Sequence, residues 1–301
     1  MGKQPTGGVY TALTSLAAFL VANPDCGPIF YCVDDGVPDY RMKALPEYKE
    51  DREKKKARRT PQEQRKIDSQ LSLADEMFSL LGCVRVSKPK NEADDIVAEL
   101  VRLFVLAEAN PVIVSSDHDM WQMVRFRVPV YDPREKRWID EESFQERSGV
   151  RADLFTLYRA LSGDHSDGLS GVPQVGEGRA AELLMAVFGD GPLEGRDLVG
   201  EIVKYLRAKK KEERRQWEEN TLLAAAKVRR VMGAVDLTAR WRSEGYGLLA
   251  EEEVWGPVPV PQYQSFQEFC GRLGMNGVRS NMPRIYPPFV RANKQTLRRF
   301  A

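Results

Sequence analysis

The sequence predicts an α/β protein with a parallel central sheet, followed by an α-helical region organised around a glycine hairpin. Three observations carry that prediction. Two short apolar runs, 28–33 and 111–116, are separated by helical segments, and each leads into a carboxylate. Short strands apolar on both faces mark a parallel sheet with covered faces. An acidic turn, Gly163 to Gly168, is followed at once by a glycine-framed hairpin, Gly171 to Gly178. From about residue 140 the pattern changes to short helices and glycine turns, and later to charged helical stretches.

Residues 8–22 place Val9, Leu13, Leu16, Ala17 and Leu20 at helical spacing. Pro28 to Val33 reads as a buried strand closed by the turn Asp34-Asp35-Gly36. Lys49 to Arg59 holds seven basic and three acidic side chains. Thr60-Pro61-Gln62-Glu63 is a helix start: the threonine caps, the proline fits the first turn and the glutamate closes a capping box. The helix that follows carries Ile67, Leu71, Met77, Leu80 and Leu81 toward a core and stops at Gly82. Val84 to Ser87 is a short strand. Asn91 stands where it can cap a helix from about Glu92, with Val97, Leu100, Val101, Phe104 and Val105 on its apolar face. Pro111 to Ser116 is the second buried strand and leads into Asp117. Arg127 to Tyr131 belongs at a sheet edge, because Pro129 cannot sit mid-sheet. Residues 197–233 are helical and charged. From about residue 255 the chain is proline-rich, then basic, and reads as a loose extension.

Composition narrows the function. The 301 residues suit one large or two modest domains of about 150 residues each. Lys and Arg number 45, Asp and Glu 44, so a uniformly basic coat is excluded while a local basic face is not. There are two histidines, His118 and His165, which excludes sites built on several histidine ligands. Cys26, Cys32, Cys83 and Cys270 show no CxxC spacing; with no secretory apolar segment, a reducing cytoplasm is expected. A metal here must be held by oxygen, which means a hard cation such as Mg²⁺ or Mn²⁺. No apolar run approaches the roughly 20 residues a membrane span needs.

Ligands of open α/β sheets bind beyond the C-terminal strand ends. Asp34 stands at one such end and Asp117 and Asp119 at another, while Glu92, Asp94 and Asp95 open the intervening helix. Asp164 and Asp167 lie in the acidic turn. One such pair alone is a cap or a solvated turn. Eight converging carboxylates would repel one another unless cations sat among them, and eight oxygen donors suit two divalent ions. The hairpin Gly171–Gly178 has the build of a helix–hairpin–helix, whose amides can take a backbone phosphate; an ordinary αα-hairpin is the plainer alternative. The basic excess over 49–59, including Lys54, Lys55 and Lys56, is either a solvated helix face or a surface that steers a phosphate backbone.

Taken in order, the motifs Tyr48-Lys49-x-x-Arg52, Glu92-Ala93-Asp94-Asp95, Ser115-Ser116-Asp117-His118-Asp119-Met120-x-Gln122 and Gly163-Asp164-x-Ser166-Asp167, with Gly171-Val172-Pro173-x-Val175-Gly176 after it, resemble the 5′–3′ exonuclease and flap endonuclease family. The resemblance is to the stand-alone phage type and to the N-terminal nuclease domain of bacterial DNA polymerase I, and runs from about Gly7 to Leu237. It implies a PIN-like nuclease domain over 1–145 with a helical arch over 41–80, and a helix–hairpin–helix (helix–three-turn–helix) domain over 146–254. It leaves 255–301 as an extension without an assigned role.

The resemblance further implies two Mg²⁺ or Mn²⁺ ions, with Asp34, Glu92, Asp94, Asp95, Asp117, Asp119, Asp164 and Asp167 in metal-ligand roles. Lys49 and Arg52 match a basic pair that contacts the scissile phosphate, and Tyr48 an aromatic that stacks on a base. Gly171, Val172, Val175, Gly176, Gly178 and Arg179 match the duplex-gripping hairpin, with K⁺ on its carbonyls. The implied enzyme is a monomer acting in the cytoplasm, its own or a phage host's. It would cut DNA at 5′ flaps and 5′ ends, without sequence preference, beside other replication proteins. The family begins with a strand ending in aspartate that residues 1–301 do not contain. Either it is encoded upstream or it has been lost, and loss would favour a catalytically impaired DNA-binding protein. His118 and His165 stand where the family commonly has lysine.

Overall fold

The computed structural model describes residues 6–164, 169–241 and 247–294, without the side chains of residues 51–53, 55 and 251. In chain order the elements are α1 (Gly7–Ala22), β1 (Phe30–Cys32), α2 (Asp39–Ala44), α3 (Glu50–Ala57), α4 (Pro61–Leu80), β2 (Val84–Val86), α5 (Ala93–Leu106) and β3 (Ile113–Val114). A 3₁₀ stretch, His118–Phe126, leads to β4 (Val130–Asp132), β5 (Arg137–Ile139), α6 (Glu141–Ser148), α7 (Phe155–Ser162), β6 (Gly163–Asp164) and β7 (Leu169–Ser170). The remainder is helical: α8 (Glu177–Phe188), α9 (Leu198–Ala208), α10 (Gln216–Val235), α11 (Glu251–Trp255), α12 (Tyr263–Arg272), α13 (Asn276–Ser280), α14 (Met282–Ile285) and α15 (Pro287–Lys294). The chain forms two compact units, 1–35 with 58–100 and 247–301, and 36–57 with 101–246.

In the first unit, β1 and β2 pair in parallel, Phe30 opposite Val84 and Cys32 opposite Val86. Helix α4 packs on α1, α12 and β2. Its start is the expected capping box: the Thr60 hydroxyl accepts from the Glu63 N–H at 3.2 Å, and the Glu63 carboxylate accepts from the Thr60 N–H at 2.8 Å. Leu73 and Met77 face the core, whereas Leu71, expected there, is 65% exposed. From Leu73 onward α4 thus contributes to the core of this unit. The segment after residue 255, as far as it is described, is not loose. Its helices bury Phe266, Phe269, Val278 and Phe289, and Asn293 donates to the carbonyls of Leu81 and Gly82.

In the second unit, β3 pairs in parallel with β4, and β4 antiparallel with β5. The β4 strand is therefore central, not an edge. Pro129 lies just before it, where its missing N–H costs no ladder bond, and its carbonyl accepts from Ile113. The two apolar runs expected to be fully buried are not. Phe30, Tyr31 and Cys32 are half-buried, and Val112 and Val114 are exposed. Each run supplies a short strand at the edge of its sheet. Helix α10 packs against α7, α2 and α9, and α7 against α8.

Candidate functional site

In the first unit two of the acidic side chains, Asp34 and Asp95, are tied to backbone. β1 hands the chain to Asp34, whose Oδ1 accepts from the Ala93 N–H at 2.7 Å, the first residue of α5. Asp95 Oδ2 accepts from the Glu92 N–H at 3.2 Å. The start of α5 is therefore capped by Asp34, 59 residues away. The expected cap, Asn91, instead donates to the Pro89 carbonyl. The helix dipole favours the negative charge of Asp94 and Asp95 in this first turn. Glu92 and Asp95 are buried, and Asp94 is half-buried.

In the second unit Asp117 is held in the same way, but Asp119 and Asp164 also meet an arginine. Asp117 ends the run through β3 and caps the 3₁₀ stretch, its Oδ1 accepting from the Asp119 N–H at 3.0 Å. Asp119 and Asp164 share Arg159 of α7. One guanidinium nitrogen lies 3.7 Å from Asp119 Oδ1 and forms an ion pair with Asp164 Oδ2. Asp167 lies outside the described residues. The His118 ring stacks on Trp121 with centroids 4.1 Å apart. Burial, then the positive charges of Arg159 and Arg147, hold the His118 pKa below its ordinary value.

All these donors are carboxylate oxygens, which fits a hard divalent cation. They do not form a preassembled cage: among the described residues, no three His, Cys, Asp or Glu side chains come together as a metal site. Burial pushes the thiol of Cys83 up to about 12 and that of Cys270 up to about 11.

The basic segment is only partly described. The side chains of Arg52 and Lys55 lie outside the described residues. Lys49 adopts φ 57° and sets its ammonium 5.1 Å from the centre of the Tyr48 ring. Lys54 pairs with Glu50 at 2.7 Å, and Lys56 is exposed. Tyr48 corrects an expectation. It is buried, its hydroxyl accepting from the wholly buried Arg41 at 3.3 Å, so it presents no open stacking face. The Arg41 guanidinium lies against both Tyr40 and Tyr48, an arrangement the motifs did not reveal.

The hairpin joins α7 to α8. Gly163 has φ +84°, and the Val172 N–H donates to the Leu161 carbonyl at 2.8 Å. Val172 and Val175 are buried, so their side chains fix the hairpin and only backbone faces outward there. A methyl group on Gly171 would lie 2.4 Å from the Ser162 backbone and 2.5 Å from that of Gly163. A methyl group on Gly176 or Gly178 would meet nothing within 4 Å. The first-turn amides of α8 lack intrahelical partners, as at any helix start. Exposed Arg179 donates to the Gln174 carbonyl at 2.6 Å. From α10, Asn220 donates to the Pro173 carbonyl at 3.0 Å, and Lys227 to Ser170 Oγ at 2.8 Å and the Gly171 carbonyl at 3.3 Å. One carbonyl expected to hold K⁺ therefore already accepts from an ammonium group.

Residues 1–149 match the family described as 5′–3′ exonuclease, N-terminal resolvase-like domain. The chain is 33% identical over 181 residues to the thermostable DNA polymerase I of Thermus aquaticus, covering 60% of this chain and 20% of the polymerase. It is 32% identical over 202 residues to a 5′–3′ exonuclease of Streptomyces coelicolor, covering 62% of this chain and 65% of that protein. The chain thus spans about a fifth of the polymerase and somewhat under two thirds of the exonuclease. Among solved structures, T5 5′-exonuclease with bound zinc aligns over 88% of this chain and 90% of its own, with TM-score 0.65 and 20% identity. The T5 flap endonuclease in complex with DNA and metal ions aligns over 96% of this chain and 92% of its own, with TM-score 0.63 and 20% identity. The catalytic core of Rad2 with DNA substrate aligns over 92% of this chain and 83% of its own, with TM-score 0.54 and 15% identity. The fold is the PIN-like α/β fold of these nucleases.

Proposed function

We propose that this chain, whose first 149 residues carry the 5′–3′ exonuclease N-terminal resolvase-like domain, hydrolyses DNA phosphodiesters at 5′ flaps and 5′ ends in replication or repair. The observation that carries the reading is in the second unit. It combines an open, glycine-lined helix start at Gly176–Gly178 with the acidic strand end at Asp117 and Asp119. The first is suited to a phosphate backbone and the second to a hard cation. The T5 and Rad2 structures were solved with DNA, which supports the same reading.

Asp34, Glu92, Asp94 and Asp95 in the first unit, and Asp117, Asp119, Asp164 and Asp167 in the second, carry the metal-ligand roles. Two Mg²⁺ or Mn²⁺ ions would supply charge neutralisation at the phosphate and activation of the attacking water. Lys49 and Arg52 stabilise charge on the scissile phosphate. The hairpin amides and Arg179 hold backbone phosphates without reading bases, so cutting is independent of sequence.

The test is a 5′-flap DNA labelled at its 5′ end, incubated with the purified chain in Mg²⁺ and then in EDTA. Mg²⁺-dependent release of the labelled flap is the expected outcome. Tight flap binding with no cleavage in Mg²⁺ or Mn²⁺ would overturn the enzyme in favour of a DNA-binding protein. Absence of binding would overturn both.

A further inference from the structure

Two of the carboxylates assigned to metal already have a cation. Arg159 stands 3.7 Å from Asp119 Oδ1 and pairs with Asp164 Oδ2 through the same nitrogen. The side chains of Arg159, Asp119 and Asp164 are 16%, 18% and 7% exposed. Carboxylates so poorly solvated cannot both stay charged at low cost without a positive group beside them. A guanidinium does not give up its proton, so Arg159 is a permanent counter-charge. It sits toward the pair as a bridging ion would. In this same position its carbon lies 5.8 Å from the centre of the Phe155 ring, one helical turn back on the same face of α7, within cation–π range.

We propose that Arg159 is a stand-in cation. It neutralises Asp119 and Asp164 when no metal is bound, and a divalent ion binds there by displacing the guanidinium. The proposal rests on reading Asp119 and Asp164 as metal ligands. Arg159 then does two opposed things. It keeps the metal-free unit stable, and it raises the concentration of free divalent ion needed to load the carboxylates.

The test measures Mn²⁺ binding to the full chain by the paramagnetic resonance signal of free Mn²⁺, with thermal unfolding in EDTA and in Mn²⁺. The proteins are wild type, Arg159→Gln, Arg159→Lys and Asp119→Asn. Arg159→Gln should bind Mn²⁺ at least about fivefold more tightly, because the competing charge is gone. It should unfold at lower temperature in EDTA and gain more from Mn²⁺ than wild type does. Arg159→Lys keeps the charge and should stay near wild type. Arg159→Gln that folds only in Mn²⁺ supports the same conclusion. Unchanged or weaker binding by Arg159→Gln overturns the proposal, as does failure to fold even in Mn²⁺, which would make Arg159 purely structural. Asp119→Asn separates the two ways of failing. If it leaves Mn²⁺ binding unaltered, the ligand reading itself is wrong. If it weakens binding while Arg159→Gln does not tighten it, only the stand-in role falls.

Discussion

The two units hold two pairs of acidic side chains, Asp34 with Asp95 and Asp119 with Asp164, by different means. In the first, Asp34 and Asp95 accept from backbone N–H groups at the start of α5, and the partial charge of a helix end offsets them. In the second, Asp119 and Asp164 share the full charge of Arg159. A backbone amide cannot move away or compete. An arginine can do both. The first group is therefore built into the fold, and the second is poised to exchange one cation for another.

The largest test of that contrast is Asp119→Ala. It should lower flap cleavage about a thousandfold or more, while flap binding by fluorescence anisotropy changes little. Normal turnover would remove the second unit's carboxylates from the reaction and leave the helix-anchored group alone.

The hairpin of the second unit offers the next largest effect, because its glycines serve different ends. Gly171→Ala forces a methyl group into the backbone of Ser162 and Gly163 and should cost about 3 kcal/mol or more in chemical denaturation. Gly178→Ala meets no neighbour. It should stabilise α8 by about 0.5 kcal/mol yet weaken duplex binding, since the methyl group intrudes only on an external ligand. Unchanged duplex affinity in Gly178→Ala would mean that the open helix start is not where the backbone docks.

Glu218 supplies a third way of keeping a carboxylate, a closed ion pair. Its Oε1 lies 2.5 Å from the Lys209 ammonium, and Oε2 accepts from the Arg215 N–H at 2.7 Å. Burial alone would raise its pKa, but Lys209 and the Arg215 amide outweigh burial and hold it below the ordinary value. The stability this gives is present above the unfolded-state pKa of about 4.3 and is lost as pH falls through the lower folded value. Glu218→Gln should cost about 2 kcal/mol at neutral pH and flatten the acid limb of a stability–pH curve. An unchanged acid limb would show that the pair contributes nothing.

The smallest effect on stability belongs to the first unit. Asp34→Ala removes the cap of α5 and should cost about 1 kcal/mol, whereas Asp34→Asn keeps an acceptor and should cost under about 0.5 kcal/mol. Because Asp34 is a proposed ligand, Asp34→Asn should also lose cleavage despite that small stability cost; unchanged cleavage would leave Asp34 a cap alone.

Sequence reading succeeds where the determinant is local. The capping box at Thr60–Glu63 and the helix over 8–22 each depend on residues within one or two turns of chain. The acidic strand ends and the glycine hairpin were legible for the same reason, as short motifs in fixed order. It fails where a partner comes from far along the chain. Asn91 looks like the cap of α5 until β1 delivers Asp34 to that amide. Tyr48 looks like a stacking platform until Arg41 and its neighbours enclose it. Pro129 suggests an edge until β3 and β5 take the two sides of β4. The sequence by itself determined the element types, the turn geometry and which side chains can hold a hard cation, because backbone sterics and donor chemistry are properties of neighbouring residues. Only the tertiary structure decided which carboxylates lean on amides and which on Arg159. Those choices are made by contacts between distant segments, whose energies no local pattern records.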